Sequence, residues 1–227
     1  MLVFKSVSKI YYGNIKALDK VSFEIKAGEF VILVGRSGAG KSTILKLIRK
    51  EEKPTEGHIF YKNLDYSKVR GNDILRLRRK IVIVFQDFKL LNDRTVYDNL
   101  RLPLEAMGFG QRELRRKIEE VLKNVDLWSH REILAKFLSG GEKQRLSIAR
   151  ALSTNPEILL ADEPTGNLDP ISSFEIMETL KNINSQGVTI ILATHNKDIV
   201  DYLNKRVITL HQGRIIKDEN PGKYTLI

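Results

Sequence analysis

Residues Gly35-Arg36-Ser37-Gly38-Ala39-Gly40-Lys41-Ser42-Thr43 have the types and spacing of the G-x-x-x-x-G-K-[ST] pattern, whose chemistry is the grip on a polyphosphate. Its glycines let backbone N–H groups turn inward around phosphate oxygens, and a helix starting near Lys41 points the positive end of its dipole at them. Lys41 adds a mobile point charge for the β- and γ-phosphates, and the Ser42 hydroxyl is the expected Mg2+ ligand. Asp162-Glu163 closes the apolar run Ile158-Leu159-Leu160-Ala161. Consecutive side chains on a strand point apart, so the two carboxylates have separate roles open to them. Asp162 is expected to hold Mg2+, directly or through water, and Glu163 to polarise the water that attacks the γ-phosphorus. Standing alone, such a pair often caps a helix or a turn. A third cluster, Leu138-Ser139-Gly140-Gly141-Glu142-Lys143-Gln144-Arg145, opens a helical pattern over residues 146–152. Ser139 and the two glycines therefore lie where backbone N–H groups are unpaired, which makes a second anion site or an ordinary N-cap with a capping-box Glu142.

Elements of two kinds must position these residues. Phe30–Val34 and residues 81–85, 158–161, 188–193 and 206–210 are short, mostly apolar runs rich in Val and Ile, as suits strands buried on both faces of a parallel sheet. Residues 21–25 and 58–61 alternate apolar with polar side chains and predict a small antiparallel sheet near the N-terminus. Between about residues 87 and 138 the pattern changes to charged, leucine-rich stretches with helical spacing, as in 112–127, which predicts an inserted helical subdomain. Residues 210–216 read as strand, tight turn and strand. The chain is thus expected to be one α/β domain over 1–227. Its core spans approximately 1–86 and 139–227, together with the antiparallel β-subdomain, and residues 87–138 form the helical insertion.

The bulk composition is that of a globular protein, with 42% hydrophobic and 29% charged residues in 227. The longest apolar runs are far shorter than the roughly 18 to 20 residues that span a bilayer. The start, Met1-Leu2-Val3-Phe4-Lys5, lacks a basic segment followed by a long apolar one, so no secretory signal is expected and a cytosolic location follows. With no cysteine there is no disulfide framework, thiolate metal site or cysteine nucleophile. The formal charge of +10 favours an anionic partner. Basic residues recur in patches such as Arg76, Arg78, Arg79, Lys80 and Arg112, Arg115, Arg116, Lys117. Solvated helix faces explain them first and contact with an anionic membrane surface second. Nucleic acid ranks last, because no basic platform is interleaved with aromatics.

The segment from Leu138 to Glu142 resembles the signature of the ATP-binding cassette (ABC) family, normally Leu-Ser-Gly-Gly-Gln, with Glu142 departing at the fifth position. The resemblance covers nearly the whole chain and implies a P-loop NTPase fold of ABC type. It also implies a Mg-dependent ATPase that works as a homodimer, with ATP held between one copy's phosphate loop and the other's Ser139, Gly140 and Gly141. In that family Tyr11 resembles the A-loop aromatic that stacks on adenine, with Tyr12 as a substitute. Gln86 resembles the Q-loop glutamine that touches Mg2+ and senses a membrane partner. Asn167-Leu168-Asp169 resembles the D-loop at the dimer interface, and His195 the H-loop residue at the γ-phosphate. Two anion sites and one carboxylate pair in a single chain are also hard to place around a single triphosphate.

Within the family, residues 84–91, 93–99 and 165–170 and the tail at Gly222-Lys223-Tyr224 resemble the FtsE group of bacterial cell-division ATPases, which works with a membrane partner of the FtsX type. That resemblance implies a peripheral protein on the cytoplasmic face of the bacterial membrane, docking its partner near Phe88, Leu90, Leu91 and residues 95–107. The alternatives are the ATPase of a lipoprotein-release or macrolide-type transporter and, from another class, an ATP-regulated scaffold with little turnover.

Overall fold

In the computed structural model, which describes residues 1–224, the first strands β1 (Leu2–Tyr11) and β2 (Ile15–Ile25) form an antiparallel hairpin. Strand β3 (Phe30–Val34) then enters the centre of a second sheet and leads into α1 (Lys41–Ile48). The chain returns to the first sheet through β4 (Glu56–Tyr61) and β5 (Leu64–Asp65), completing the order β2-β1-β4-β5. Helix α2 (Asn72–Lys80) leads into β6 (Ile81–Phe85), and three helices follow: α3 (Val96–Ala106), α4 (Gln111–Asn124) and α5 (Gly140–Leu152). The rest alternates as β7 (Ile158–Asp162), α6 (Pro170–Ser185), β8 (Thr189–Ala193), α7 (Lys197–Leu203), β9 (Arg206–His211) and β10 (Arg214–Glu219). The second sheet has the order β10-β9-β3-β8-β7-β6, parallel throughout except for β10 on β9.

The apolar runs become central strands because both of their faces are covered. Side chains alternate across a strand. Val31 and Leu33 of β3, Ile158 and Leu160 of β7 and Ile191 and Ala193 of β8 therefore pack on one face, with Ile44, Leu47 and Ile48 of α1 and with Leu2 and Phe4 of β1. Ile32, Leu159, Ala161, Ile190 and Leu192 point the other way, onto Ile176, Met177 and Leu180 of α6 and Ile199 and Val200 of α7. The two sheets are tied at Glu157, whose carboxylate accepts hydrogen bonds from the Tyr61 hydroxyl and from Lys62 (2.6 Å) and Lys80 (2.9 Å). Burial pushes this carboxyl up, but those hydrogen bonds outweigh it and hold its pKa at about 2.

A third core lies among α3, α4 and α5, built from residues at helical spacing: Val96, Leu100 and Leu104; Leu114, Ile118 and Leu122; and Leu146 and Ala149. Helix α4 stops at Asn124, short of the expected residue 127. Asp126 turns into the left-handed region (φ 54°), and the Leu127 N–H bonds back to the Leu122 carbonyl at 2.8 Å. Strand β1 carries no simple alternation in sequence, since irregularities between Phe4 and Val7 and between Val7 and Lys9 shift its register against β2.

Fully buried Asn99 on α3 organises the stretch leading into these helices. Its amide donates to the carbonyls of Leu91 (3.1 Å) and Thr95 (2.9 Å) and accepts from the Leu91 N–H (2.9 Å). Asn99→Ala strands these groups and is expected to cost about 2–3 kcal/mol. A urea titration should then show a lower midpoint at unchanged slope. A midpoint within error of the parent would mean that the segment re-forms its bonds without Asn99.

Candidate active site

Parallel strands deliver their carboxyl ends to one edge of the sheet, and the register fixes which residues meet there. Leu33 and Asp162 both pair with Ala193, and Phe85 pairs with Asp162. The residues just beyond these ends are Gly35, Glu163, His195 and Gln86, so four sequence-distant segments converge. Glu163, His195 and Gln86 line an open cleft of about 840 Å³ with Tyr11, Arg36, Ser37, Gly38, Ala39, Gly40, Lys41, Ser42 and Thr43. Gly35 lies behind this surface, and its carbonyl accepts from Lys41 Nζ at 2.7 Å.

The loop from Gly35 to Gly40 turns tightly into α1. Gly40 has φ 107°, and a Cβ there would meet the Ala17 carbonyl and the Leu18 side chain at 2.7 Å, so only glycine fits. As N-cap of α1 it offers no side-chain cap, and the first turn carries no acidic residue. Those unpaired N–H groups face the cleft, where a phosphate would satisfy them. Lys41 is 7% exposed, and its ammonium also reaches the Arg36 carbonyl (3.3 Å) and Glu163 Oε1 (3.8 Å).

The two carboxylates diverge as their strand position requires. Asp162 accepts from the Ser42 hydroxyl at 3.3 Å. Burial raises its pKa, the Ser42 hydrogen bond lowers it and the Glu163 carboxylate raises it again, leaving it above the usual value. A cation placed between Asp162 and Ser42 would relieve that penalty. The donors around that position, Asp162, Ser42 and the Gln86 amide, offer oxygen to a hard ion, which suits Mg2+ completing its shell with phosphates and water. Among the described residues no cluster of three or more His, Cys, Asp or Glu side chains could hold a metal by itself.

Glu163 turns away from Asp162 because its backbone adopts the left-handed conformation (φ 47°), held by its N–H on the Ala193 carbonyl at 2.9 Å. Backbone strain of this kind is kept where a side chain must point in an unusual direction. Its Oε1 lies 2.8 Å from His195 Nδ1, so carboxylate and imidazole form one unit at the end of the cleft. Gln86 donates to Asn167 Oδ1 at 3.0 Å, and Asn167 donates to the Gln86 carbonyl at 3.2 Å, linking residues 86 and 167 across that end.

Tyr11 lines the cleft with the Lys9 ammonium 4.9 Å from its ring centre, whereas Tyr12 is fully exposed and outside it. Ser139, Gly140 and Gly141 are not brought into the cleft. Gly140 packs near Leu168 and Gly141 near Ser172, on the face where Asp169 caps α6. The capping box forms there, since Ser139 Oγ accepts from the Glu142 N–H (3.3 Å) and Glu142 accepts from the Ser139 N–H (2.8 Å). Ser139 can still donate its hydroxyl proton to an anion. Ile171 on the same face is 75% exposed.

Three lining residues carry no signal in the sequence, and a fourth, Tyr224, figured there only in the tail that resembles the FtsE group. Ile15, Lys16 and Ala17 belong to β2, which crosses beneath the cleft mouth, and Tyr224 arrives from the far end of the chain. Only the fold brings them there.

Residues 18–166 match the family model described as "ABC transporter". The cell division ATP-binding protein FtsE of Bacillus subtilis (strain 168) is 47% identical over 224 residues, spanning 99% of this chain and 98% of that protein. Among solved structures, cbiO1 from Clostridium perfringens, described as part of an ABC transporter complex, superposes with a TM-score of 0.91 at 33% identity, covering 97% of this chain and 88% of that one. The dimeric post-hydrolysis state of the ATP-binding cassette MJ0796, bound to ADP and Pi, superposes with a TM-score of 0.87 at 36% identity, covering 99% of this chain and 100% of that one.

Proposed function

We propose, from the premise that the chain belongs to the ABC transporter family and within it to the FtsE-like ATP-binding proteins, that it hydrolyses ATP as a homodimer to drive an FtsX-type membrane partner in bacterial cell division. The observation that carries the catalytic part is the Glu163–His195 pair at 2.8 Å, at the end of a cleft whose floor is the Lys41 loop.

In this reading Tyr11 stacks on the adenine and the N–H groups of residues 38–43 take the phosphates. Lys41 holds the β- and γ-oxygens, and Ser42, Asp162 and Gln86 would hold Mg2+. The metal would neutralise phosphate charge. Glu163 accepts the proton of the attacking water while His195 fixes the carboxylate's direction and contacts the γ-phosphate. Ser139, Gly140 and Gly141, outside their own chain's cleft, are available to the phosphates of a second copy. The relative captured as a dimer with ADP and Pi supports that arrangement.

Exposed apolar side chains support a docking surface for the membrane partner. Residues 92–97 bond to 131–136, which brings Leu91 (44% exposed) near Phe137 (71% exposed). No helix among the described residues is long and apolar enough to cross a membrane. Peripheral attachment at the cytoplasmic face, through this surface and the basic helices α2 and α4, fits that observation.

The test is affinity isolation of the tagged Glu163→Gln chain with Mg-ATP from detergent-solubilised membranes. Recovery of a membrane protein with few spans, a large external domain and no transport pathway is the expected result. A lipoprotein- or drug-handling permease in its place would move the chain to transport.

A further inference from the structure

The geometry points to Tyr224 as an additional ATP-contacting residue, a phenol carried to the terminal-phosphate end of the cleft by a docked C-terminal strap. The inference rests on the nucleotide reading of that cleft and adds a residue to it.

Residues 220–224 leave β10 and run back past β9 and α7 towards the carboxyl edge of the core sheet. Three contacts hold them. The Gly222 N–H donates to the Lys205 carbonyl at 2.9 Å. Gly222 itself lies so close to β9 that a Cβ would meet Val207 Cβ at 2.6 Å and the Glu219 carbonyl at 2.9 Å. Tyr224 lies beside Asp201 on α7. The half-buried Tyr224 ring then packs on the core beneath α6 and α7. A segment anchored at 201, 205 and 207 has little freedom to carry its side chain elsewhere.

Tyr224 lines the cleft that Arg36, Lys41, Glu163 and His195 also line. Burial raises the phenol's pKa, the Glu163 carboxylate raises it further and the Arg36 guanidinium lowers it. No hydrogen bond to this hydroxyl exists among the described residues. A neutral phenol in the lining beside a positive loop, with Glu163 and His195 in the same lining, matches an oxygen of the last phosphate of a triphosphate. A diphosphate, one phosphate shorter, would not reach it. The phenol thereby helps the site tell ATP from ADP.

Tyr224→Phe tests this, because it removes the hydroxyl and keeps the ring's packing. Affinities for Mg-ADP and for Mg with the non-hydrolysable β,γ-imido analogue of ATP are measured on the full chain by calorimetry. The expected result is a loss of about ten- to a hundredfold for the triphosphate analogue with the ADP affinity unchanged, as follows from deleting one hydrogen bond to a charged group. Gly222→Ala, which displaces the strap without touching the cleft, is expected to give the same selective loss. Equal affinities in parent and Tyr224→Phe would overturn the assignment. So would a rise in turnover in either variant, which would mean that the strap obstructs the cleft. Lys41→Ala separates the two levels of inference. If the parent chain binds neither nucleotide, the nucleotide reading itself fails, whereas binding that Lys41→Ala weakens beside a neutral Tyr224→Phe removes Tyr224 alone.

Discussion

Glu163→Gln is expected to bind Mg-ATP as the parent does, to turn it over at least about a hundredfold more slowly and to accumulate as a closed dimer. The size follows from what a positioned general base contributes, roughly 10² to 10⁴ in rate. Glutamine is nearly isosteric with glutamate and keeps a hydrogen-bond acceptor 2.8 Å from His195 Nδ1, but it cannot take a proton. It also removes the negative charge that stands 3.8 Å from Lys41 Nζ, which leaves the ammonium freer to serve the phosphates, so binding should not weaken. Dimerisation follows from the position of Ser139, Gly140 and Gly141, outside the cleft of their own chain. In the proposed arrangement a second copy supplies those donors to the γ-phosphate, and a variant that cannot cleave it is expected to hold the two copies together. Size-exclusion chromatography with light scattering, with and without Mg-ATP, reads the association, and phosphate release reads the turnover. A variant that hydrolyses at the parental rate, or that stays monomeric with Mg-ATP, would remove Glu163 or the shared-site arrangement respectively.

How far such an outcome can be read from sequence depends on the kind of element involved. The strands β3, β7 and β8 were legible because burial on both faces demands unbroken apolar runs, and such runs in a chain of this length mean a parallel sheet. Once they are parallel, their carboxyl ends share an edge, so the convergence of Gly35, Asp162-Glu163 and His195 was implicit in the pattern. Less was legible where geometry is set by irregularity. Strand β1 escaped because its bulges break the alternation, and the end of α4 was missed by three residues because a single left-handed residue, Asp126, stops it. The divergence of Asp162 and Glu163 was expected from strand geometry, but the positive φ that aims Glu163 at His195 carries no signal in residue types, since glutamate rarely adopts it. Tyr224 lies furthest from prediction. Its place in the cleft depends on the fit of Gly222 against Val207 and on its position beside Asp201, contacts that exist only after β9, β10 and α7 have assembled.

Lys41→Ala is expected to weaken binding of ADP and ATP alike, by on the order of a hundredfold, because it strikes the part of the site that every nucleotide uses. The ammonium is 7% exposed and already oriented, donating to the Gly35 carbonyl at 2.7 Å and the Arg36 carbonyl at 3.3 Å. A charge held in place at such low exposure is poorly screened and loses little entropy on meeting phosphate, so a charge-assisted hydrogen bond there is worth about 2–3 kcal/mol. That figure converts to roughly 30- to 150-fold in affinity. The backbone cradle survives the substitution, since Gly40 and the first turn of α1 do not depend on the lysine side chain, and residual binding should remain measurable. The loss should also be nearly independent of ionic strength between about 50 and 200 mM, unlike that of an exposed cation, whose contribution salt would erode. Unfolding midpoints measured without nucleotide guard against a trivial cause, because Lys41 spans the loop and its removal also frees two carbonyls. If both affinities fall less than about threefold while the fold is intact, the backbone N–H groups alone hold the phosphates, and the chemistry read from Gly35 to Thr43 is carried by the turn and not by the lysine.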